Sequence, residues 1–303
     1  MFLLLIAFLN TFESITGLPG YIGLIFAFLF GSIVGSFLNV VIHRVPLQKS
    51  IVFPNSACPK CEKNIQPYDN IPIFSWLILG GKCRNCKNPI SIRYPAVEFL
   101  TGVLFLLTAW QIGLTAFLPV AFIFVAAMIS LVFIDSEHMI LPNVITYPLL
   151  ILALLVRLIF PIAFGNAMYF SDLSHYPLTA LYGQPIWLVS LAGALLGAMV
   201  GGGSLWLVGE IWKRLRGVDA MGLGDVKMMF GVGALLGWRL AFLSIFIGAL
   251  TGAVAGVALI LRQKDKDFQA QIPFGIFLGI GSVIALLFGD AVIAWYLNNF
   301  IPQ

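Results

Sequence analysis

The stretch Met221-Gly-Leu-Gly-Asp-Val-Lys227 places the carboxylate of Asp225 between two closely spaced glycines and an apolar run that continues to Gly237. An ionisable side chain at the mouth of a hydrophobic segment is energetically costly, and it therefore indicates a functional site. A second aspartate, Asp135, ends another long apolar run earlier in the chain. We predict that these two carboxylates face each other and that the remaining segments position them.

The composition places the chain in lipid. Hydrophobic residues make up 60% of its 303 residues and charged residues 10%, with a mean hydropathy of +1.00. Soluble domains carry about 25% charged residues, so we predict an all-α polytopic membrane protein with membrane lipid as a partner. The net charge of +4 does not indicate a nucleic-acid partner. Residues 1–10 are apolar but lack preceding basic residues and a clear cleavage site, so no cleaved signal peptide is predicted.

Apolar runs of roughly 20 residues predict about eight transmembrane helices. We expect a short loop at Asp135–Pro142, a longer exterior loop at Gly165–Pro185 and a polar loop at Lys213–Gly224. The sixth run, Val226–Gly237, is short for a full crossing. The predicted spans are Tyr21–Ile42, two helices within Phe99–Ile134 divided between Gly113 and Pro119, Asn143–Phe160, Ile186–Ile211, Val226–Gly237, Leu240–Leu261 and Ile272–Leu297.

The distribution of basic residues indicates the orientation in the membrane. Of the 17 Lys and Arg residues, 15 fall in three segments that eight spans bring to one side, namely Arg44–Pro95, Lys213–Lys227 and Arg262–Gln271. Because cytoplasmic loops are enriched in Lys and Arg, this side is predicted to be cytoplasmic, with both chain ends outside. Asp135 and Asp225 then lie at the cytoplasmic ends of the third and sixth helices.

All four cysteines fall in two C-x-x-C motifs, Cys58-Pro-Lys-Cys61 and Cys83-Arg-Asn-Cys86. The separation of the two motifs is close to that of a zinc ribbon, and four thiolates form a closed site, so we predict a structural zinc. A reducing cytoplasm argues against stable disulfides, and a redox pair is the alternative. We divide the chain into an N-terminal segment with the first transmembrane helix (residues 1–43), a cytoplasmic four-cysteine insert (residues 44–95) and a transmembrane domain (residues 96–303).

A pair of adjacent carboxylates can cut a peptide bond. The two groups share one proton, because both cannot ionise cheaply at short range. One then activates a water while the other, protonated, polarises the peptide carbonyl. Gly222 and Gly224 lack side chains, which lets an extended substrate backbone approach Asp225. The simpler alternative is that Asp225 caps the sixth helix and Asp135 is a solvated loop residue.

The other polar residues near the aspartates have simpler explanations. Glu137 and His138 are alternative acids or bases, although a solvent-facing pair is the favoured interpretation. Lys227 either pairs with a carboxylate or extends towards the membrane interface, and we favour the second. Glu98, at the start of the second helix, is expected to stabilise the helix dipole rather than contact a ligand.

Six sequence motifs occur along the chain in one order. They are Gly35-Ser-Phe-Leu-Asn-Val-Val-Ile-His-Arg44, the twin C-x-x-C pair, Arg93-Tyr-Pro-Ala-Val-Glu98, Ile134-Asp135 followed by Ile140-Leu-Pro-Asn143, Met221–Lys227 and Ile272-Pro-Phe-Gly275. Together they resemble the bacterial type IV prepilin peptidase family, from about Gly31 to about Gly279.

The resemblance implies an aspartic endopeptidase of the bacterial inner membrane that removes the basic leader of prepilins and pseudopilins after a glycine, on the cytoplasmic side. It also implies N-methylation of the new N-terminal residue with S-adenosylmethionine as co-substrate. Asp135 and Asp225 match the catalytic positions, residues 96–303 the peptidase domain, and the four cysteines the zinc positions. The long cysteine insert is typical of the bifunctional branch, and a peptidase-only member is the alternative. No Rossmann-type glycine-rich loop is visible, so the methyl-donor residues stay unidentified.

Two further functions compete with this hypothesis. A secondary transporter would use Asp135, Asp225 and Lys227 to relay protons or bind a cation. It predicts charges near the bilayer midplane and an internal repeat, and the sequence shows neither. The other competitor is a non-catalytic, zinc-bearing scaffold of a pilus or secretion machine.

Overall fold

The computed structural model of the protein describes residues 2–159, 161, 184–218, 221–262 and 273–300, which are largely helical. A π-helical turn, Met199–Gly203, joins α7 to α8, so that Ile186–Arg216 forms one continuous helix. The helices are α1 (Phe2–Thr16), α2 (Gly20–Arg44), α3 (Phe74–Ile78), α4 (Arg93–Ile112), α5 (Leu118–His138), α6 (Asn143–Ile159), α7 (Ile186–Ala198), α8 (Ser204–Arg216), α9 (Leu223–Leu236), α10 (Trp238–Arg262) and α11 (Phe274–Phe300).

Each of the eight predicted spans coincides with a helix, and the predicted all-α, polytopic membrane fold is confirmed. Two of these helices are short, α6 with 17 residues and α9 with 14. The helix α1 was not predicted. Within the described residues, six helices have the length and apolar character to cross a membrane: Gly20–Arg44, Arg93–Ile112, Leu118–His138, Ile186–Arg216, Trp238–Leu259 and Phe274–Phe300.

Two predicted loops begin later than expected. The helix α5 continues to His138, so Asp135 lies in its last turn and not in a loop. Similarly, α8 continues to Arg216 and ends at Gly217, whose φ of 73° is the left-handed conformation of a helix C-cap. Charged residues are tolerated in a final helical turn, so the first charged residue is a poor marker of a helix end.

Two of the predicted loops fall largely outside the described residues. The exterior loop at Gly165–Pro185, with Asp172 and His175, lies within residues 162–183 except for its last two positions. The charged loop at Arg262–Gln271 is described only at Arg262, the last residue of α10.

The chain forms two compact units, Met1–Ser130 and Leu131–Gln303. The division at residues 43 and 95 that the sequence suggests stays a prediction. In the first unit α2 packs against α4 at small residues, as is common between membrane helices. A Cβ atom at Gly31 would lie 2.7 Å from the Cβ of Phe105, and one at Gly35 would lie 2.8 Å from the Cα of Glu98. This close approach brings the C-terminal turns of α2 beside the first turns of α4.

The short helix α9 lies at the centre of the second unit. It packs against α6, α7 and the π-helical turn, and ten of its 14 residues are buried. The contact with α7 joins backbone to backbone, because a Cβ atom at Gly233 would overlap the carbonyl oxygen of Gly197, and one at Gly197 would overlap the carbonyl of Gly233. Glycine is required at both positions for this approach. The first turn of α9, which carries Asp225, is thereby held within the unit.

Candidate active site and metal centre

Asp135 is buried, with 5% of its surface exposed, in the last turn of α5. Its Oδ2 atom accepts a hydrogen bond from the backbone N–H of Ile276, at 3.2 Å. Ile276 belongs to the first turn of α11, where backbone N–H groups have no partner within the helix. The carboxylate of Asp135 therefore lies at a helix N-terminus, a position that favours a negative charge.

Asp225 is also buried, with 8% of its surface exposed, and is the third residue of α9. Its backbone N–H donates to the carbonyl of Gly222, the N-cap residue, at 3.1 Å. The carboxylate of Asp225 also lies close to Gly222, since a Cβ atom placed there would be 3.4 Å from its Oδ2. Asp225 stands three residues after the N-cap, the position of the acid in a capping box, so the capping role considered for it fits this location. Burial beside a second carboxylate goes beyond what capping requires.

The two carboxylates converge on Gly275, in the first turn of α11. A Cβ atom at Gly275 would lie 2.7 Å from Oδ2 of Asp135 and 2.9 Å from Oδ1 of Asp225. Because both distances start from the same Cβ position, the distance between Oδ2 of Asp135 and Oδ1 of Asp225 cannot exceed the sum of the two. A single water with two hydrogen bonds of about 2.8 Å spans such a gap. The arrangement suits the activation of a water between two acids.

Gly275 belongs to the motif Ile272-Pro-Phe-Gly275, which contributes to the family resemblance but predicts no role for this glycine at the aspartates. Its importance comes from contacts with residues that are distant in the chain, which no local pattern reveals. The available signal was a glycine that directly follows Pro273-Phe274 at the start of an apolar run.

The two glycines near Asp225 have different surroundings. Gly222 is exposed, and the nearest atom to a Cβ placed there would be Oδ2 of Asp225, at 3.4 Å. A Cβ atom at Gly224 would lie 2.9 Å from the Cβ of Leu141. Gly222 therefore borders open space beside the carboxylate, whereas Gly224 allows α9 to pack against Leu141.

The remaining candidates lie around the pair rather than in it. Glu137 and His138 are exposed in the last turn of α5. The ammonium of Lys227 donates to Oδ1 of Asn143 at 3.0 Å and lies 5.3 Å from the centre of the Tyr147 ring. These contacts join the first turn of α9 to α6 and give Lys227 a positioning role between two helices.

The four cysteines come together in the first unit. Their Sγ atoms all lie within 4.8 Å of one another, and those of Cys58 and Cys86 are 3.8 Å apart. Tetrahedral zinc with Zn–S bonds of about 2.3 Å requires S–S distances of about 3.8 Å. The thiol pKa of Cys86 is lowered to about 6, mainly because the backbone N–H and the side chain of Asn88 donate to its sulfur. The donor set and its spacing fit a structural zinc.

The two C-x-x-C motifs have the same backbone geometry. In the first, Cys58 N–H donates to the carbonyl of Lys63 at 3.0 Å, and Glu62 adopts a φ of 57°. In the second, Cys83 N–H donates to the carbonyl of Asn88 at 2.8 Å, and Lys87 adopts a φ of 58°. Such paired turns point their cysteines at a common centre, as in zinc ribbons.

Replacement of Cys58 and Cys83 by Ser is expected to remove the bound metal. We expect about one zinc per wild-type chain and close to none in the double variant, because a closed site needs all four thiolates. Elemental analysis of protein purified with reduced thiols measures this ratio. Lys60→Ala, within the first C-x-x-C motif, is the control and is expected to keep its zinc. Metal-free wild-type protein would contradict the assignment.

Two family models match the chain. The model described as the bacterial peptidase A24 N-terminal domain matches residues 29–112, and that of the type IV leader peptidase family matches residues 122–257. The first range includes the four cysteines, and the second includes Asp135 and Asp225. No solved structure gives a significant match.

Several curated proteins are similar to this chain over most of its length, and each is named prepilin leader peptidase/N-methyltransferase. The protein of Pseudomonas aeruginosa is 36% identical over 293 residues, which are 89% of this chain and 92% of that protein. The protein of Aeromonas hydrophila is 36% identical over 314 residues, covering 95% and 98%. The protein of Neisseria gonorrhoeae is 36% identical over 301 residues, covering 90% and 94%.

Proposed function

Because this chain belongs to the type IV leader peptidase family, we propose that it removes the leader peptide of type IV prepilins and methylates the new N-terminus. The names of the similar proteins support both activities. The observation that carries the peptidase activity is the convergence of two buried carboxylates at one glycine. A pair of this kind has no need of a nucleophilic side chain, since water is the nucleophile.

We assign the chemical step to Asp135 and Asp225. Asp135 accepts the backbone N–H of Ile276 and is suited to act as the base, while Asp225 carries the shared proton. The base takes a proton from water, whose oxygen bonds to the carbonyl carbon that Asp225 polarises. The C–N bond of the peptide then breaks, and the departing nitrogen takes up a proton from the dyad. The products are the free leader and a pilin with a new N-terminal amine.

Gly222 is the proposed point of approach for the substrate backbone. It is exposed and lies next to the carboxylate of Asp225 without a side chain of its own. Gly224 contributes by letting α9 approach Leu141, which keeps the first turn of the helix in place. Prepilins and pseudopilins suit this geometry, since their basic leaders stay in water while the apolar remainder enters lipid.

We place the reaction on the cytoplasmic face of the bacterial inner membrane. The last turn of α8 carries Lys213, Arg214 and Arg216, which precede Asp225 by nine to twelve residues. Clusters of Lys and Arg beside membrane helices favour the cytoplasmic side. The basic residues of the four-cysteine insert support the same side.

The second proposed activity is methyl transfer to the new N-terminal amine. S-adenosylmethionine supplies an electrophilic methyl group, and the amine must be neutral to attack it. A zinc bound by Cys58, Cys61, Cys83 and Cys86 would hold the two C-x-x-C motifs of the insert together. Because four sulfur ligands would leave no open position for a reacting group, we assign it no chemical step.

The decisive experiment incubates the purified protein in detergent with a prepilin and S-adenosylmethionine. Intact mass spectrometry is expected to show loss of the leader, followed by the gain of one methyl group. Unchanged prepilin would contradict the proposal and would favour the non-catalytic scaffold. A cleaved product without added methyl would indicate a peptidase-only member. Proton or cation flux in proteoliposomes without cleavage would favour the transporter.

A further inference from the structure

A cavity of about 470 Å³ lies in the first unit, between the cytoplasmic insert and the adjoining ends of α2 and α4. Its size falls in the range of sites that bind cofactors, roughly 300–1,000 Å³. All of its lining belongs to the first unit, and neither Asp135 nor Asp225 is among its lining residues. The residues that matter for its chemistry are Asn39, His43, Ile73, Trp76, Tyr94 and Glu98.

Asn39, one of the residues that line this cavity, has an unused hydrogen-bond acceptor. The side chain is 4% exposed, and its amide nitrogen donates to the carbonyls of Tyr94, at 3.1 Å, and Gly35, at 3.4 Å. These two acceptors determine which end of the amide is nitrogen, because the reverse orientation would oppose oxygen to oxygen. The Oδ1 atom is buried and has no hydrogen-bond partner among the described residues. A buried acceptor in this state is completed by a donor that the described residues do not supply, such as a bound ligand or an ordered water.

Glu98 places a carboxylate on the wall of the same cavity. Glu98 is 9% exposed, and Oε2 accepts the backbone N–H of Ile73 at 2.7 Å. This partner is neutral, so it does not balance the charge of the carboxylate. The expected role of Glu98 as a helix-dipole acid is wrong, because α4 begins at Arg93 and Glu98 lies beyond its first turn, where its carboxylate bonds to the insert.

The backbone at Ile73 supports a functional interpretation of this contact. Ile73 adopts a φ of 64°, a left-handed conformation that is unfavourable for a β-branched residue. Strained residues of this kind persist where surrounding contacts hold them, and they are common at ligand sites. The strained conformation directs the N–H of Ile73 at Glu98 and fixes the carboxylate.

The other charges at the cavity include several that are already paired or hydrogen-bonded to the chain. Asp69 forms an ion pair with Arg84 at 2.6 Å. Arg44 donates to the carbonyls of Ser50 and Pro54. The buried wall thus offers one carboxylate and one amide oxygen, which suit a ligand with a positive charge and amino donors, while Lys60 and Lys63 line the exposed part of the cavity.

We propose that this cavity is the binding site for S-adenosylmethionine, with Glu98 facing its cationic sulfonium and Asn39 accepting a hydrogen bond from an amino group. The inference rests on the proposed methyltransferase activity. The ligand carries a positive sulfur, an ammonium and an adenine amino group, which match the two oxygens. Trp76, whose indole N–H donates to the carbonyl of Ile90 at 3.1 Å, adds a fixed aromatic wall.

The test measures equilibrium binding of tritiated S-adenosylmethionine to the full-length protein in detergent. Glu98→Gln keeps the acceptor for Ile73 but removes the charge, so we expect affinity for S-adenosylmethionine to fall about tenfold or more. The affinity of the same variant for S-adenosylhomocysteine, whose sulfur is neutral, is expected to fall less than its affinity for S-adenosylmethionine. Asn39→Leu is expected to weaken both ligands alike, because both carry the amino donors.

Glu13→Gln is the matched control, since Glu13 is an exposed carboxylate on α1 away from the cavity. It is expected to bind both ligands as the wild type does. Wild-type affinity in both Glu98→Gln and Asn39→Leu would overturn the proposed site. If wild-type protein still methylates a pilin in that case, the site alone is wrong. If wild-type protein neither binds the donor nor methylates, the proposed methyltransferase function fails with it.

A second measurement needs no substitution and covers variants that do not fold. Ultraviolet irradiation of wild-type protein with tritiated S-adenosylmethionine attaches label to contacting residues, and peptide mapping locates it. We expect label within residues 36–98, from α2 to the first turns of α4, and protection by excess S-adenosylhomocysteine. Label confined to the second unit would contradict the proposal.

Discussion

Asp135→Asn and Asp225→Asn are each expected to reduce prepilin cleavage by about 10²–10⁴-fold, the usual contribution of a positioned acid or base. Asparagine keeps the size of the side chain but neither takes a proton from water nor donates one to the departing nitrogen. Loss of one partner therefore disables the other, and the double variant is expected to be little worse than either single variant. The rate of leader removal, followed by mass, measures the effect.

The matched control for this pair is Asp290→Asn. Asp290 is an exposed aspartate on α11, the same helix that provides the contact point for the dyad. We expect the Asp290→Asn variant to cleave prepilin at the wild-type rate. All variants are compared at equal zinc content, which reports an intact first unit. If either dyad variant processed prepilin at close to the wild-type rate, the assignment of both aspartates would be wrong.

Gly275→Ala is expected to have the second-largest effect, although it removes no functional group. The added Cβ would lie 2.7 Å and 2.9 Å from the two carboxylate oxygens, and 3.0 Å from the Cδ1 of Leu141. Distances below 3.0 Å force the carboxylates to move apart, and the space for the bridging water is lost. A misplacement of about 1 Å in an active site costs on the order of 10²-fold in rate. Single-turnover cleavage measures this change.

Gly203→Ala is the control for the glycine substitution. A Cβ atom at Gly203 would lie 3.5 Å from its nearest neighbour, the Cε of Met199, which is an ordinary van der Waals contact. We expect this variant to cleave normally and to elute as the wild type does on size exclusion. A Gly275→Ala protein that cleaves at the wild-type rate would show that the carboxylates do not meet at this point.

The sequence predicted local features more completely than distant contacts. The two C-x-x-C motifs are short turns whose geometry follows from residues close in the chain, and the cysteines do come together. The depth of Asp135 and Asp225 was predicted from the ends of apolar runs. Their common contact with Gly275 was not predicted, because it depends on how α5, α9 and α11 pack.

The central position of α9 also could not be predicted from the sequence. Its apolar run, Val226–Gly237, was recognised as short, but a run facing lipid and a run buried among helices have the same composition. The cavity in the first unit was missed for a similar reason. Its wall combines residues near positions 39, 73 and 98, and none of these segments has a nucleotide-binding motif.

The backbone contact between Gly197 and Gly233 limits how α9 can move. A screw movement by one residue, about 1.5 Å along the helix axis with a rotation of about 100°, would bring the side chain of Val232 or Ala234 to a place where even one Cβ atom overlaps a carbonyl. The position of Asp225 along the axis of α9 is therefore determined by the backbone contact between α7 and α9, and it does not depend on side-chain rotamers. We therefore expect the prepilin to move to the aspartates, because α9 cannot slide along α7 to bring Asp225 to the prepilin.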